Sequence, residues 1–347
     1  MSGLTKGRSA WRGLARQGAK WSNASTRSFM GAEQMNLPLV SVVVPTYNRL
    51  NFLKEAIASV QEQTFQDWEL IVIDDASTDS TWDWLQTLES ERIRPFRQNK
   101  NSERSAARNL GLEKSQGQFV MFLDDDDCLR PNTLQILTSP LISDSTLVAA
   151  VGARWKFRKE HYALRIEHPY WKRKKMIWPE VLFGWCSVSG QNLYRTDVVQ
   201  SVGGYKDDFI PSEDRQLWLK IAKKGYVSLV PDIVLDYRSH GQPRRPKNLL
   251  DIREKVFQEF VNSLSVEEQL RAKRIRESAH YSQKAEDEYR GGNYYIAVSF
   301  YFKAYQSAPK LAMSPLVGLP LARGLGKSLL KMLFQNSKSI FRQSRML

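Results

Sequence analysis

Residues 39–49 read LVSVVVPTYNR, and the reading of this stretch decides the fold. Val40, Val42, Val43 and Val44 make a nearly unbroken β-branched run, the mark of a strand buried on both faces. A polar cluster, 46–49, ends it. Residues 50–64, LNFLKEAIASVQEQT, follow with apolar side chains at helical spacing. A second apolar run, WELIVIDDAS over 68–77, stops at acids. Residues 81–90, TWDWLQTLES, read as a helix with Asp79 and Ser80 as candidate caps. A helical stretch, SAARNLGLEKS over 105–115, leads to a further strand in QFVMFLDDDD, 118–127. Strands alternating with helices predict βαβ units, and so an α/β fold built on a doubly wound, mostly parallel sheet. The strand C-termini of such a sheet share one edge, where ligands bind. The polar clusters at 46–49, 74–79 and 124–127 should therefore meet in one cleft.

The chain has 347 residues, of which 42% are hydrophobic, enough for one core of about 200 residues and a smaller unit. Three regions are expected: a flexible basic arm over 1–36, a catalytic α/β domain over 37–250, and a helical C-terminal region over 251–347. Cys128 and Cys186 are too few for a disulfide framework, which points to a reducing, cytoplasmic compartment. No stretch has the apolar core of a secretory signal, and none reaches the roughly 18 uncharged apolar residues of a spanning helix. The net charge is +14, and residues 1–36 and 310–347 hold 12 of those charges between them. A nearly balanced middle argues against a nucleic-acid-binding core and for basic tails on an enzyme-like body. Residues 285–309 resemble a single tetratricopeptide-type hairpin, with Gly291 and Gly292 at its turn. Residues 326–345 set Leu329, Leu330, Met332, Leu333, Ile340 and Phe341 among basic side chains. Two readings stand for that tail: peripheral attachment to an anionic inner membrane face, or a helix packed on the protein with its basic face in water.

The chemistry concentrates in two acidic stretches. Four aspartates, Asp124 to Asp127, end the strand at 118–127. Carboxylates gathered at a strand end suit a hard divalent cation, Mg²⁺ or Mn²⁺, which would bridge to phosphate oxygens. The plainer alternative is a solvated acidic turn. In PSEDRQLWLKIAKKGY, 211–226, Ser212 stands where it could cap a helix opening with Glu213 and Asp214. Alone, that pair reads as two acids complementing a helix dipole.

In combination these stretches resemble glycosyltransferase family 2, inverting enzymes of the GT-A fold that use nucleotide-activated sugars. The resemblance covers about 38–240. It rests on SVVVPTYNR, QTFQDWELIVIDDASTD, SAARNLGL, GQFVMFLDDDD, GGYKDDFIPSEDRQLWLKIAKKGY and DYRSH in that order. It implies a nucleotide-diphosphate sugar donor, a uridine diphosphate sugar first, and a glycan or lipid-linked acceptor in cell-surface polysaccharide or related glycan synthesis. By the same resemblance Pro45, Thr46 and Tyr47 line the nucleotide base, Arg49 joins the nucleotide-binding set, and Asp75 hydrogen-bonds the base. Arg104 or Arg108 reaches the base or phosphates. Asp124 and Asp126 are the two ends of the Asp-x-Asp motif, with Asp126 the first metal ligand and Asp124 or Asp125 on the ribose. His240 is implied as a third metal ligand. Asp214 becomes the general base that takes the acceptor hydroxyl's proton, and Glu213 orients the sugar or that base. One departure stands out: where the family often has glycine, this chain reads NKNSERSAARN, 99–109, with Glu103 and Arg104 in the loop. The segment 154–178 interleaves Arg154, Lys156, Arg158, Lys159, Arg165 and the run Lys172 to Lys175 with Trp155, Trp171 and Trp178, and lies where this fold puts its acceptor side; a solvated basic loop is the alternative reading.

Rival readings are weaker. No GxGxxG follows the first strand, so a dinucleotide oxidoreductase is not expected. A nucleotidyltransferase needs a glycine-rich basic loop where PTYNRLNF, 45–52, stands. A nucleotide-binding scaffold with a degenerate transferase domain is opposed by the intact acids. Repulsion among the four aspartates is expected to be relieved only when metal and nucleotide arrive, with Asp127 serving the turn before Pro131.

Overall fold

The structure, a computed structural model, describes residues 37–157, 166–167, 173–175, 178, 180–183, 188–239, 248–309 and 321–332. His240, the basic arm over 1–36, most of the basic stretch 158–177 and the tail 333–347 lie outside the described residues. In chain order the elements begin with β1 (Val40–Thr46), α1 (Leu50–Gln61), β2 (Trp68–Asp74), α2 (Thr81–Gln86), β3 (Ile93–Arg97) and α3 (Glu103–Lys114). They continue with β4 (Phe119–Phe122), β5 (Cys128–Leu129), α4 (Thr133–Ser143), β6 (Leu147–Phe157), β7 (Ile166–Glu167), β8 (Arg173–Lys175) and β9 (Asn192–Arg195). Then come α5 (Thr196–Ser201), α6 (Glu213–Ile221), β10 (Tyr226–Arg238), α7 (Leu249–Asn262), α8 (Val266–Arg290) and α9 (Tyr294–Ser307).

The strands form one sheet in the order β3-β2-β1-β4-β9-β6-β10-β5, with β7 on β6 and β8 on β10. β3, β2, β1 and β4 run parallel, as a doubly wound arrangement requires. Beyond β4 the sheet becomes mixed, because β9 inserts antiparallel to both β4 and β6. All seven residues of β1 are buried. Alternation sends Val42 and Val44 to one face, against Leu53, Ile57 and Val60 of α1 and Leu134 and Leu137 of α4. Val43 points to the other face, with Ala107 and Leu112 of α3. That second face continues through Leu217 and Trp218 of α6 to Val256, Phe257 and Phe260 of α7 and Ile275 of α8. The C-terminal helices are thus continuous with the core beneath the sheet.

The α8–α9 hairpin expected from sequence is present and longer, because α8 begins at Val266 behind a full capping box between Ser265 and Glu268. Gly292 takes the left-handed backbone of its turn, at φ +83°. Residues 321–332 are helical. Among the described residues no helix is long and apolar enough to cross a membrane.

The ends of α2 and β4 differ most from expectation. α2 stops at Gln86, four residues early, where the Thr87 hydroxyl donates back to the Trp84 carbonyl. β4 stops at Phe122, before the acids: Leu123 still bonds Val43, but Gly190 takes the Phe122 carbonyl and a turn closes from the Asp127 amide to the Asp124 carbonyl.

Candidate active site

The strand ends open onto a cleft of about 880 Å³. Pro45 and Thr46 end β1, Tyr47 and Arg49 follow it, Asp75 follows β2, Arg104 and Arg108 come from α3, and Asp124, Asp125 and Asp126 follow β4; all ten line it. The parallel register explains the meeting. Thr46 pairs with Asp74 across β1 and β2, and the Asp75 amide then donates to the Thr46 carbonyl at 2.9 Å. Asp75 also accepts from the Ser102 amide at 2.8 Å, which anchors the loop before α3.

Three turns at the cleft adopt left-handed backbone at non-glycine residues: Asn48 (φ 54°), Ala76 (φ 62°) and Glu103 (φ 68°). Such conformations are costly for side-chain-bearing residues and cluster at functional sites. Asn48 ties its turn to the loop after β2, accepting at Oδ1 from the amides of Thr78 and Asp79. Glu103 falls in the stretch where the family often has glycine, and its positive φ shows that the backbone there does take a path glycine would favour.

The four aspartates are not an unrelieved acidic block. The expectation that repulsion waits for ligand is corrected, because arginines already occupy the cluster. Arg49 Nη1 lies 3.1 Å from Asp125 Oδ1 and 2.9 Å from Asp126 Oδ2. Arg108 Nη2 lies 2.6 Å from Asp124 Oδ1. The Arg238 amide donates to Asp127 Oδ1 at 2.7 Å, and its Nε donates to the Asp126 carbonyl at 2.9 Å. Thr46 Oγ1 donates to Asp125 Oδ2 at 2.8 Å. Even so, burial pushes the Asp125 carboxyl up to about 6, against the pull of Arg49 and Thr46. Burial likewise raises Asp127, whose side chain ties the turn to the end of β10 rather than only to the approach to Pro131.

Asp124, Asp126 and Asp127 offer carboxylate oxygens that lie within 4.8 Å of one another. Asp127 Oδ2 is buried and meets no hydrogen-bond partner among the described residues. Hard oxygen donors at this spacing, one of them unsatisfied, fit Mg²⁺ or Mn²⁺. Asp127 was not in the metal set drawn from sequence; its neighbours were the only signal that could have suggested it.

Glu213 and Asp214 open α6 behind Ser212, whose side chain makes no cap hydrogen bond. They do not line the cleft themselves; they meet it through α3. Glu213 Oε1 is 3.2 Å from Arg108 Nη1 and 3.4 Å from Arg104 Nε, and Asp214 Oδ1 is 3.8 Å from Arg108 Nη1. Burial, with the charges of Glu213 and Asp124 adding to it, pushes the Asp214 carboxyl up to about 7, against Arg108 and Arg104. A carboxylate poised there can accept a proton near neutrality. Lys156, Tyr237 and Arg238 also line the cleft, and sequence reasoning did not single out the last two. They belong to DYRSH, where attention to the histidine hid the arginine two residues earlier.

Residues 41–202 match the family described as Glycosyl transferase family 2. The putative teichuronic acid biosynthesis glycosyltransferase TuaG of Bacillus subtilis is 43% identical over 100 residues, 28% of this chain and 40% of that protein. The GalNAc(5)-diNAcBac-PP-undecaprenol beta-1,3-glucosyltransferase of Campylobacter jejuni is 44% identical over 104 residues, 29% of this chain and 34% of that protein. The matches thus span well under half of these relatives' own lengths. The crystal structure of S. aureus TarS 1-349 in complex with UDP-GlcNAc superposes with a TM-score of 0.58 at 18% identity, covering 88% of this chain and 92% of that one. That likeness is one of fold, and it agrees with the GT-A architecture and helical C-terminal region expected from sequence.

Proposed function

We propose, from the premise that residues 41–202 belong to glycosyltransferase family 2, that this chain transfers a sugar from a nucleotide-diphosphate sugar to an acceptor hydroxyl with inversion. One observation carries the reading: Arg108, in the wall of the cleft, links the strand-end aspartates to Glu213 and Asp214 at the start of α6. In this reading Pro45, Thr46, Tyr47 and Asp75 hold the base, and Asp125 meets the ribose. Asp124 and Asp126, with Asp127 behind them, would hold Mn²⁺ or Mg²⁺, which supplies charge neutralisation at the leaving diphosphate. His240 stays a proposed third ligand. Asp214 accepts the acceptor hydroxyl's proton as that oxygen attacks the anomeric carbon opposite the diphosphate, which inverts its configuration in one step. Glu213 fixes the arginines around that base.

A uridine diphosphate sugar is the proposed donor, supported by the TarS neighbour bound to UDP-GlcNAc. A glycan or lipid-linked acceptor is supported by the relatives named for teichuronic acid synthesis and for an undecaprenol-linked substrate. The charge excess at the two ends motivates peripheral attachment to an anionic inner membrane face. Release from anionic vesicles on removal of 311–347 tests that part, and vesicle binding unchanged at low salt would exclude the tail. A thermal-shift panel of nucleotide-diphosphate sugars with Mn²⁺ tests the donor reading, since a ligand that binds the native state raises its melting temperature. Stabilisation by a uridine diphosphate sugar, lost on chelation, is expected. No stabilisation by any nucleotide sugar would refute the reading.

A further inference from the structure

We propose that Arg108 is a positioning residue that ties Asp124, in the cleft, to Glu213 and Asp214 at the start of α6, rather than a contact to the nucleotide. The inference rests on the functional reading above. Its basis is geometric. The Arg108 side chain is 1% exposed, so it is packed into the wall of the cleft by its neighbours. Its two terminal nitrogens are already assigned: Nη2 to Asp124 at 2.6 Å, Nη1 to Glu213 at 3.2 Å, with Asp214 at 3.8 Å. The guanidinium lies over the buried Tyr205 ring, 5.0 Å from its centroid. A planar, always charged fork can serve two carboxylates in fixed directions, which a lysine cannot.

The placement of Arg108 is itself built in. Gly111, one turn further along α3, has no room for a side chain: a Cβ there would stand 2.2 Å from Val43 Cγ1 of β1. Only glycine lets α3 sit this close to the sheet, and that depth sets Arg108 beneath the end of β4. Asn109 locks the other side. It donates from Nδ2 to the Tyr205 carbonyl and accepts at Oδ1 from the Tyr205 amide, both at 2.9 Å. Gly204 approaches the same Asn109 so closely that a Cβ would lie 2.5 Å from Oδ1. Two stretches that look separate in sequence, SAARNLGL and GGYKDDF, are thus one clamp around the arginine.

The groups that face Asp214 are Arg108 and Arg104 from α3, Asp124 from the end of β4, Glu213 beside it and the Tyr205 phenol. Arg108 and Arg104 are the cations in this set. Weakening the Arg108 link should therefore make Asp214 harder to ionise and leave donor binding nearly alone.

The test uses the full chain with Arg108→Lys and Arg108→Met, donor-saturated nucleotide-diphosphate release across pH, and thermal unfolding. For Arg108→Lys we expect a KM for donor within about threefold of wild type, kcat at pH 7 at least tenfold lower, and an acid limb displaced to higher pH. A large rise in KM with the limb unmoved would make Arg108 a nucleotide contact and overturn the proposal. A lower melting temperature with kcat and limb unchanged would make it a merely structural ion pair and overturn it too. Where Arg108→Met does not fold, Arg108→Lys decides. A readout without turnover separates this idea from the functional reading: a double-mutant cycle of unfolding over Arg108→Lys and Glu213→Gln. Non-additivity supports the link even in a protein that transfers no sugar, and additivity overturns it.

Discussion

Replacing Asp214 with asparagine should stabilise the fold while stopping the chemistry. The Asp214 carboxyl stands at about 7 in the folded chain, against 3.8 for a free aspartate, chiefly because burial disfavours its charge. The sign follows from linkage: below about pH 4 the group is protonated folded and unfolded, and contributes nothing either way. From about pH 4 to 7 the unfolded chain releases its proton and the native site does not, so stability falls as pH rises. Above 7 the full cost persists. A displacement from 3.8 to about 7 corresponds to a ceiling of about 4 kcal/mol. The side chain is 29% exposed, so solvent screens part of this, and about 1–2 kcal/mol is the working figure. Asparagine keeps the shape and cannot ionise, and Arg108 retains Asp124 and Glu213 as partners. Thermal unfolding without metal should therefore show Asp214→Asn melting roughly 2–4 °C above wild type at pH 8, with the gap closing toward pH 4. A variant less stable than wild type at pH 8, or a gap independent of pH, would refute the electrostatic account of this site.

Four further outcomes are expected. Nucleotide-diphosphate release should rise roughly tenfold between pH 6 and pH 8, following ionisation of the base near 7; a profile flat over that range would remove Asp214 from the role. Asp126→Asn should weaken Mn²⁺ binding at least tenfold, read by the free-ion electron paramagnetic resonance signal, with the melting temperature nearly unchanged. Asp127→Ala should instead lower stability by about 1–3 kcal/mol in urea unfolding, because it orphans the buried end of the Arg238 amide contact. Gly111→Ala should cost about 1–3 kcal/mol in the same assay, since its Cβ would stand 2.2 Å from Val43 and the helix must shift.

The fold was legible where periodicity carries the signal. The valines of β1 announced a strand covered on both faces, and Leu53, Ile57 and Val60 announced the helix that covers one of them. The mixed half of the sheet was not legible: β5, β7 and β8 are two or three residues long and leave no periodic trace, and the long strands β6 and β10 carry nothing that announces the antiparallel insertion of β9 beside them. The cleft was legible in outline, since residues at strand ends must converge once the strands are parallel. What the residue types could not reveal is which charges answer which. Asp124 and Arg108 are 16 positions apart and Arg108 and Glu213 are 105 apart, and only the depth of α3 at Gly111 brings the three together. Arg238 was missed for the same reason: its backbone amide, which carries no side-chain signature, is the group that holds Asp127.

The most direct test of the central claim is Mn²⁺-dependent release of nucleotide diphosphate from a nucleotide-diphosphate sugar by the full chain, compared between wild type and Asp214→Asn. The account predicts release by wild type that stops on chelation, and a rate at least about a hundredfold lower in the variant with donor binding retained. Equal release by the two proteins, or release indifferent to chelation, would contradict it.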